Sequence, residues 1–581
     1  MNKIEKNQVY TVICQDLTHE GMGVCKIDGY PIFVDNLLPE EEAIIKVIKV
    51  NKAYGIGKLV ELKKEAIYRV PILDKKGTWT GTMPLQHMAY EHQLLFKQKQ
   101  VKNVMYKIAK MSDIDVRQTI GAIHTTKYRN KAQIPVRNIN GVLTTGFFRK
   151  NSHEFVPMED FVIQDQRIDD IILIVRNCLR EHSIRAYDEQ AHKGIVRHIM
   201  IRRGIHTGEV QVVLITNGKN GVTNELVADI VDRAPDVKSI VQNINTKRTN
   251  VIMGNEQKIW YGKDFILDTL LDKTFAISSK SFYQVNPEQT EKLYQEAIKA
   301  AHLTQEDCVI DAYCGIGTIG ICLSDKVKHV YAMEIVEDAI VMAKQNALAN
   351  HVHNMTFEVG SAETVLSKWV KMWERIDSGD NMIGGRETNN GGTVVHRESL
   401  DDKSRLNGGG GLENRGRLIG REEMENEGKL NSGGGSEIKS ELNGGGGIDN
   451  ESRVNDGEGI DNESRVNDGE GIDNESRVND GGEIENTGMT ILGEITRIKQ
   501  SALRPTVLIV DPPRKGLDSS FIHTSAKLNL SRIVYVSCNP ATMARDVALY
   551  GEYGYVVQSV QPVDMFPGTS HVECVVLLVK K

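Results

Sequence analysis

Val309-Ile310-Asp311-Ala312-Tyr313-Cys314-Gly315-Ile316-Gly317-Thr318 decides how the largest part of this 581-residue chain must fold. Val309-Ile310-Asp311 reads as a buried strand, the glycine run as a turn, and residues 319–323 as the start of a helix. Glycine lacks a Cβ, so the backbone can turn sharply here and approach a ligand closely. Val330-Tyr331-Ala332-Met333-Glu334 then reads as a second strand, ending in an acid twenty-three positions after Asp311. A carboxylate at that spacing accepts hydrogen bonds from a ribose diol. A G-x-G turn alone would suit any nucleotide site. With Ile319 taken as the residue at the third glycine position of a dinucleotide fingerprint, and with Asp311 opening the motif, the pattern favours S-adenosylmethionine over NAD.

Further along, Val507-Leu508-Ile509-Val510 runs into Asp511-Pro512-Pro513-Arg514, a strand ending in D-P-P-R, which is common among nucleobase methyltransferases. Ile533-Val534-Tyr535-Val536 ends as abruptly, at Ser537-Cys538-Asn539-Pro540. Pro540 cannot continue a ladder and biases Asn539 away from helix, so a strand delivers Cys538 into a turn. At the carboxyl end of a strand in an α/β sheet, such a residue faces the ligand crevice. A lone cysteine is more often an inert core residue. Glu573, thirty-five positions later in His571-Val572-Glu573, follows a glycine turn and opens an apolar strand over 572–579. That setting favours a site over a solvated surface charge.

Five segments together resemble one family. Phe282-Tyr283-Gln284-Val285-Asn286, D-A-Y-C-G-I-G-T (311–318), D-P-P-R-K-G (511–516), S-C-N-P-A-T-M-A-R-D (537–546) and His571-Val572-Glu573 are similar, in order, to the RNA uracil-C5 methyltransferases of the TrmA/RumA group, and within it to the 23S rRNA enzymes of the RlmD/RlmCD type. The resemblance implies an α/β fold: a Rossmann-like S-adenosylmethionine-dependent methyltransferase domain behind an OB-like TRAM β-barrel and an α+β middle RNA-binding domain. It implies a thiolate of Cys538 adding to uracil C6, and Glu573 as the base that removes the C5 proton. Gln284, Tyr313, Glu334 and Asp511 would bind the cofactor, Glu334 on the ribose, with Gln284 and Asp511 open to a role at the uracil edge as well. Arg545 and Asp546 read equally as site residues or as a helix-surface ion pair.

Composition sets the frame. The chain exceeds one domain, no stretch approaches a membrane span, and its start lacks an apolar signal core, so a cytoplasmic monomer without membrane contact is expected. Eight cysteines scatter without a disulfide framework. The net charge of -7 conceals two parts: residues 377–490 hold 26 acids and 12 bases, while the remainder holds 52 acids and 59 bases. The body is therefore basic, as contact with RNA phosphates requires. The segment 377–490 has 26 of the 52 glycines, no aromatic residue, and a twelve-residue repeat starting at Ile448, Ile460 and Ile472. So little apolar surface predicts a disordered insertion, and neither calcium-loop spacing fits the repeat.

Strands over 9–12, 29–34 and 42–48, with glycine turns between them, predict an amino-terminal barrel spanning 1–62. Residues 63–270 form the middle region, with a helix over 91–110 and basic-aromatic pieces at 127–131 and 197–203 suited to phosphates or bases. Residues 271–581 form the methyltransferase domain. Many RlmD-type relatives hold an iron–sulfur cluster on four cysteines. Here the matching run, Val70-Pro71-Ile72…Lys76-Gly77-Thr78-Trp79…Leu85-Gln86-His87, and the fourth position, Phe161, contain none, so no iron–sulfur cluster is expected. The partner implied is 23S rRNA or the assembling large ribosomal subunit. A tRNA T-loop methyltransferase and a non-catalytic rRNA-binding factor are the alternatives.

Overall fold

The computed structural model describes residues 4–377 and 503–581, and the expected insertion at 377–490 lies outside these apart from its first residue. At the amino end, Val9–Leu17, Gly23–Ile27, Tyr30–Val34, Gly55–Lys64 and Glu42–Val50 hydrogen-bond in that order and close into a barrel. Alternate residues point inward, so Ala43, Ile45 and Val47 share the interior with Val12, Cys14, Cys25 and Ile32. Sequence reading found three of these five strands. Gly23–Ile27 is short, and Gly55–Lys64 carries three lysines and two glycines, so neither displays an apolar run.

The middle region is a seven-stranded sheet whose helices Gln166–Glu181 and Asn224–Arg233 cover one face. Its central strands, Lys131–Ile139 and Val196–Arg203, pair antiparallel, with Lys131 opposite Arg202. The helix expected over 91–110 runs Tyr90–Lys107 and sends Val101 and Met105 into the core of the carboxyl-terminal sheet.

That second seven-stranded sheet has the order Met355–Val359, His329–Glu334, Cys308–Ala312, Val507–Val510, Arg532–Ser537, Glu573–Lys580, Tyr555–Val563. Its first five strands are parallel and Glu573–Lys580 runs antiparallel to both neighbours. Alternation splits each central strand between two cores. Ile533 and Tyr535 pack on one face with Phe521 and Met543; Val534 and Val536 pack on the other with Leu293 and Ile321. The strand order reverses between Cys308–Ala312 and Val507–Val510, and at such a switch point the flanking helices diverge and leave a crevice at the carboxyl ends. Asp311 and Asp511 lie on either side of it. At the edge where the described chain breaks, the Tyr331 ring lies 5.3 Å from Trp373 and its hydroxyl donates to the Leu503 carbonyl at 2.8 Å.

Candidate active site

The switch-point cleft is lined by Phe282, Tyr283, Gln284, Asp311, Tyr313, Gly315 and Asp511, among others. Tyr313, Gly315 and Gly317 all have positive φ (64°, 54° and 83°), so the turn coils its backbone toward the cleft. Only Tyr313 has a side chain that resists this conformation. A Cβ on Gly315 would meet nothing within 4 Å, whereas one on Gly320 would meet the Asp311 carboxylate and the Met355 methyl, both at 2.7 Å. Gly320 corrects the reading of Ile319: Gly315, Gly317 and Gly320 form a complete G-x-G-x-x-G, whose third glycine lets the helix sit on the strand. Preference for S-adenosylmethionine therefore rests on the acids and the topology, not on a missing glycine.

Glu334 accepts the Gly315 N–H at 3.2 Å and the Val336 N–H at 3.0 Å on different oxygens. A carboxylate has about four acceptor positions, so lone pairs remain for a diol. Asp311 accepts the Gly320 N–H at 2.8 Å; burial, then the charges of Asp511 and Glu334, push it up to about 7. Burial pushes Asp511 up to about 7 as well. Two desolvated acids at the cleft, with the Glu334 carboxylate hydrogen-bonded to its glycine turn, fit a nucleoside bearing a positive charge, such as S-adenosylmethionine with its sulfonium and ammonium. Gln284 is largely buried in the same cleft, held through its carbonyl by the Asn130 side chain at 3.3 Å.

Cys538 lies in a different cavity, of about 290 Å³, and is half-buried there. Four parts of the chain build its walls: His19 and Glu20 of the barrel, the loop carrying Asp74 and Thr80, Arg129, Lys131 and Gln164 of the middle region, and Arg514 with residues 538–540 and 569–572. Cys538 ends its strand as Asn539 caps the helix Pro540–Glu552 by accepting from the Ala541 N–H at 3.1 Å. Ser537 pairs with Cys574 on the antiparallel strand. Cys538 follows Ser537 and Glu573 precedes Cys574, so the two lie at neighbouring ends of adjacent antiparallel strands. The buried Cys574 thiol between them is pushed far up, by burial first and then by the charges of Glu573 and Cys538. Glu573 itself is 4 % exposed.

Arg545 and Asp546 are a stitch between motifs. Asp546 accepts from the Leu517 N–H and the Tyr535 hydroxyl, both at 2.7 Å, while Arg545 donates to the Lys515 carbonyl at 2.9 Å. Asn539 and Thr542 donate to the Arg514 carbonyl at 3.0 and 3.1 Å. The D-P-P-R-K-G loop is thus fixed to the Cys538 turn, and a Cβ on Gly516 would strike Asp546 at 2.5 Å. A second brace lies beneath Glu573: Lys97 and Asp564, both fully buried, pair at 2.5 Å, and Tyr90 and the Phe566 N–H donate to Asp564 at 2.9 and 3.0 Å.

Where RlmD-type relatives have cluster cysteines, residues 70–87 hold themselves by hydrogen bonds. Gln86 exchanges bonds with the Asp74 backbone at 2.7 and 2.8 Å, and Asp74 caps the helix Lys75–Thr80. Leu85 donates to the Gly568 carbonyl at 2.9 Å, so this loop supports the segment leading to Glu573. Phe161 is buried edge-on to Phe147, 5.1 Å away, and Val70 is half-buried. Among the described residues no group of three or more metal-ligating side chains converges, and no helix is long and apolar enough to cross a membrane.

The parallel sheet with its antiparallel sixth strand, and the acidic glycine-turn cleft, define a class I S-adenosylmethionine-dependent methyltransferase. Comparison with known proteins narrows this. The tRNA (Uracil-5-)-methyltransferase family model matches residues 89–376 and 487–581, and the TRAM domain model matches 3–60. A protein named "Uncharacterized RNA methyltransferase" in Enterococcus faecalis is 39% identical, with 99% of this chain and 98% of that one covered. A similarly named Streptococcus agalactiae protein is 38% identical, with 99% and 100% covered. The crystal structure of a Pyrococcus abyssi tRNA (uracil-54, C5)-methyltransferase with S-adenosyl-L-homocysteine shares the fold at a TM-score of 0.62 and 21% identity, covering 98% of this chain and all of that one. This chain belongs to the RNA uracil-C5 methyltransferase family, carries an amino-terminal TRAM domain, and uses S-adenosylmethionine as methyl donor.

Proposed function

We propose that the protein methylates C5 of a uridine in 23S rRNA, with Cys538 as nucleophile and Glu573 as base. Uracil C5 is a weak carbon nucleophile. A thiolate adding at C6 makes the ring an enolate whose C5 is nucleophilic, which splits one hard step into two easier ones. S-adenosylmethionine supplies the electrophilic methyl group. Glu573 then takes the C5 proton, and the restored double bond expels the Cys538 thiolate. Gln284, Tyr313, Glu334 and Asp511 hold the cofactor, Glu334 through the ribose. The observation that supports this reading is the pairing of Ser537 with Cys574, which brings Cys538 and Glu573 to neighbouring ends of adjacent antiparallel strands, with Cys538 at the wall of a cavity separate from the acidic cleft.

The barrel supports an RNA substrate, since His19 and Glu20 line the Cys538 cavity and so lie where RNA around the target would pass, and the motif resemblance to the 23S rRNA enzymes supports rRNA. A tRNA target is the second reading: the Pyrococcus abyssi enzyme is named for uracil 54 of tRNA, and its fold spans this chain including the barrel. Mass mapping of 5-methyluridine in rRNA and tRNA, from cells with and without the protein, separates the two. Loss of the modified nucleoside from 23S rRNA alone is expected; its loss from tRNA with rRNA unchanged overturns the rRNA target.

A further inference from the structure

The Cys538 cavity contains a cation, Lys131, that has no ion-pair partner among the described residues. Lys131 lines it, at the start of the strand Lys131–Ile139, together with Arg129 and Gln133. Arg202 stands directly opposite Lys131 on the antiparallel neighbour, so both project from the same face. Among the described residues the Lys131 ammonium has no ion-pair or hydrogen-bond partner. Arg202 is 2 % exposed; one of its nitrogens donates to the Ser281 carbonyl at 2.8 Å, and its Nε and other terminal nitrogen have no partner among the described residues. Burial, then the charges of Arg202 and Arg129, push the Lys131 ammonium down to about 7. The two carboxylates on the same cavity come from other elements, and Asp74 is engaged in capping its helix.

Holding a desolvated ammonium beside two guanidinium groups is unfavourable in the free protein. A nearby acid would relieve it, and among the described residues none is among the groups acting on Lys131, so the compensating charge arrives with the ligand. Base edges are neutral, whereas a phosphodiester is a permanent anion with two strong acceptor oxygens. We propose that Lys131, backed by Arg129 and Arg202, binds the backbone phosphate adjoining the uridine that enters the Cys538 cavity. This rests on the reading of that cavity as the uridine site. Lys131 is a positioning residue: it fixes the strand so that the flipped base meets the thiol.

The test uses the full chain and RNA transcripts of the target region, each with one phosphate replaced by methylphosphonate. Lys131→Met keeps the apolar stem and removes the charge; Lys131→Arg keeps the charge. With unmodified RNA, Lys131→Met is expected to raise KM roughly tenfold with kcat within about twofold, and to lower the salt slope of binding by about one. At one position beside the target, methylphosphonate should cost the wild type and Lys131→Arg roughly tenfold and cost Lys131→Met nothing. Equal losses in wild type and Lys131→Met at every position overturn the proposal. A 5-fluorouridine transcript gives the control: a covalent adduct at Cys538 without that coupling defeats the phosphate site alone, and no adduct defeats the reading beneath it.

Discussion

The two cavities at the catalytic sheet differ in how they are encoded. The switch-point cleft draws its lining from Asp511 and residues 282–319, one continuous stretch of loop, helix, strand, turn and helix start. The Cys538 cavity draws on nine separated segments, from His19 to Val572. The first is a local conformation: glycines at positive φ and acids at strand ends fix it wherever the sheet forms. The second exists only when barrel, loop, middle sheet and catalytic sheet have all packed. Chemistry common to many methyltransferases is therefore written locally, and what distinguishes this enzyme's substrate is written in tertiary packing. A cavity of that kind should be far more sensitive to distant substitutions than the cleft.

The largest effect should come from the pair that defines the second cavity. Cys538→Ala should abolish methyl transfer and the covalent adduct with 5-fluorouridine RNA, while S-adenosylmethionine still binds the first cleft. A retained adduct in denaturing gels would defeat the assignment. Glu573→Gln should still form the adduct but release product about 10²- to 10⁴-fold more slowly, because the base acts after addition. Normal turnover of that variant would remove Glu573 from the role.

Distant sensitivity can be tested at Asp564, 26 positions from Cys538 along the chain and braced by Lys97, 467 positions away. Asp564→Ala leaves a buried ammonium unpaired and should cost about 3–5 kcal/mol of stability, whereas Lys97→Met with Asp564→Leu should cost much less. Urea unfolding with a substantial excess for the single variant supports the brace. Equal losses would show that packing, not the ion pair, sets the loop before Glu573.

How much was legible follows the same division. The glycine turn, Glu334, Asp511 and the strand that delivers Cys538 were readable because each rests on a local rule. Gly320 was legible too but misassigned by one position. The approach of the Cys538 turn to the start of the Glu573 strand was not readable, because it depends on the register of strands separated by a helix and another strand. Arg545 and Asp546 were undecidable in sequence for a similar reason: their partners are the backbone of Lys515 and Leu517, some thirty residues earlier. Family resemblance supplied the roles that spacing could not.

A smaller effect is expected in the cleft. Asp511 is held near 7 in the folded protein against about 3.9 in an unfolded chain. Its raised pKa means that folding retains a proton which the unfolded chain loses, so this group lowers stability progressively as pH rises from about 4 to 7. A cationic ligand favours the ionised form, so S-adenosylmethionine affinity should rise about tenfold between pH 6 and 8. Asp511→Asn should bind more weakly at pH 8 and show a flatter profile by calorimetry. An unchanged slope would assign the titration to Asp311.

The smallest effect should follow the largest deletion. Removing residues 380–486 and joining the ends with a short flexible linker should leave methyl transfer within about twofold and stability nearly unchanged. The flanks carry the argument. Trp373 is buried against Tyr331, whose hydroxyl holds the Leu503 carbonyl, so both flanks of the span lie beside the same side chain. Among the described residues, the sheet and both of its cores are built from positions outside the deleted span. The family model also passes from 376 to 487 without matching what lies between. Residues 377–490 contribute a net charge of -14, so their loss should tighten RNA binding slightly at low salt, and the difference should fade as ions screen it. Affinity and methyl transfer measured across a salt series decide the matter. A large loss at every salt concentration would show that this span belongs to the substrate cavity, and that the contrast between a locally written cleft and a packed one omits a third part.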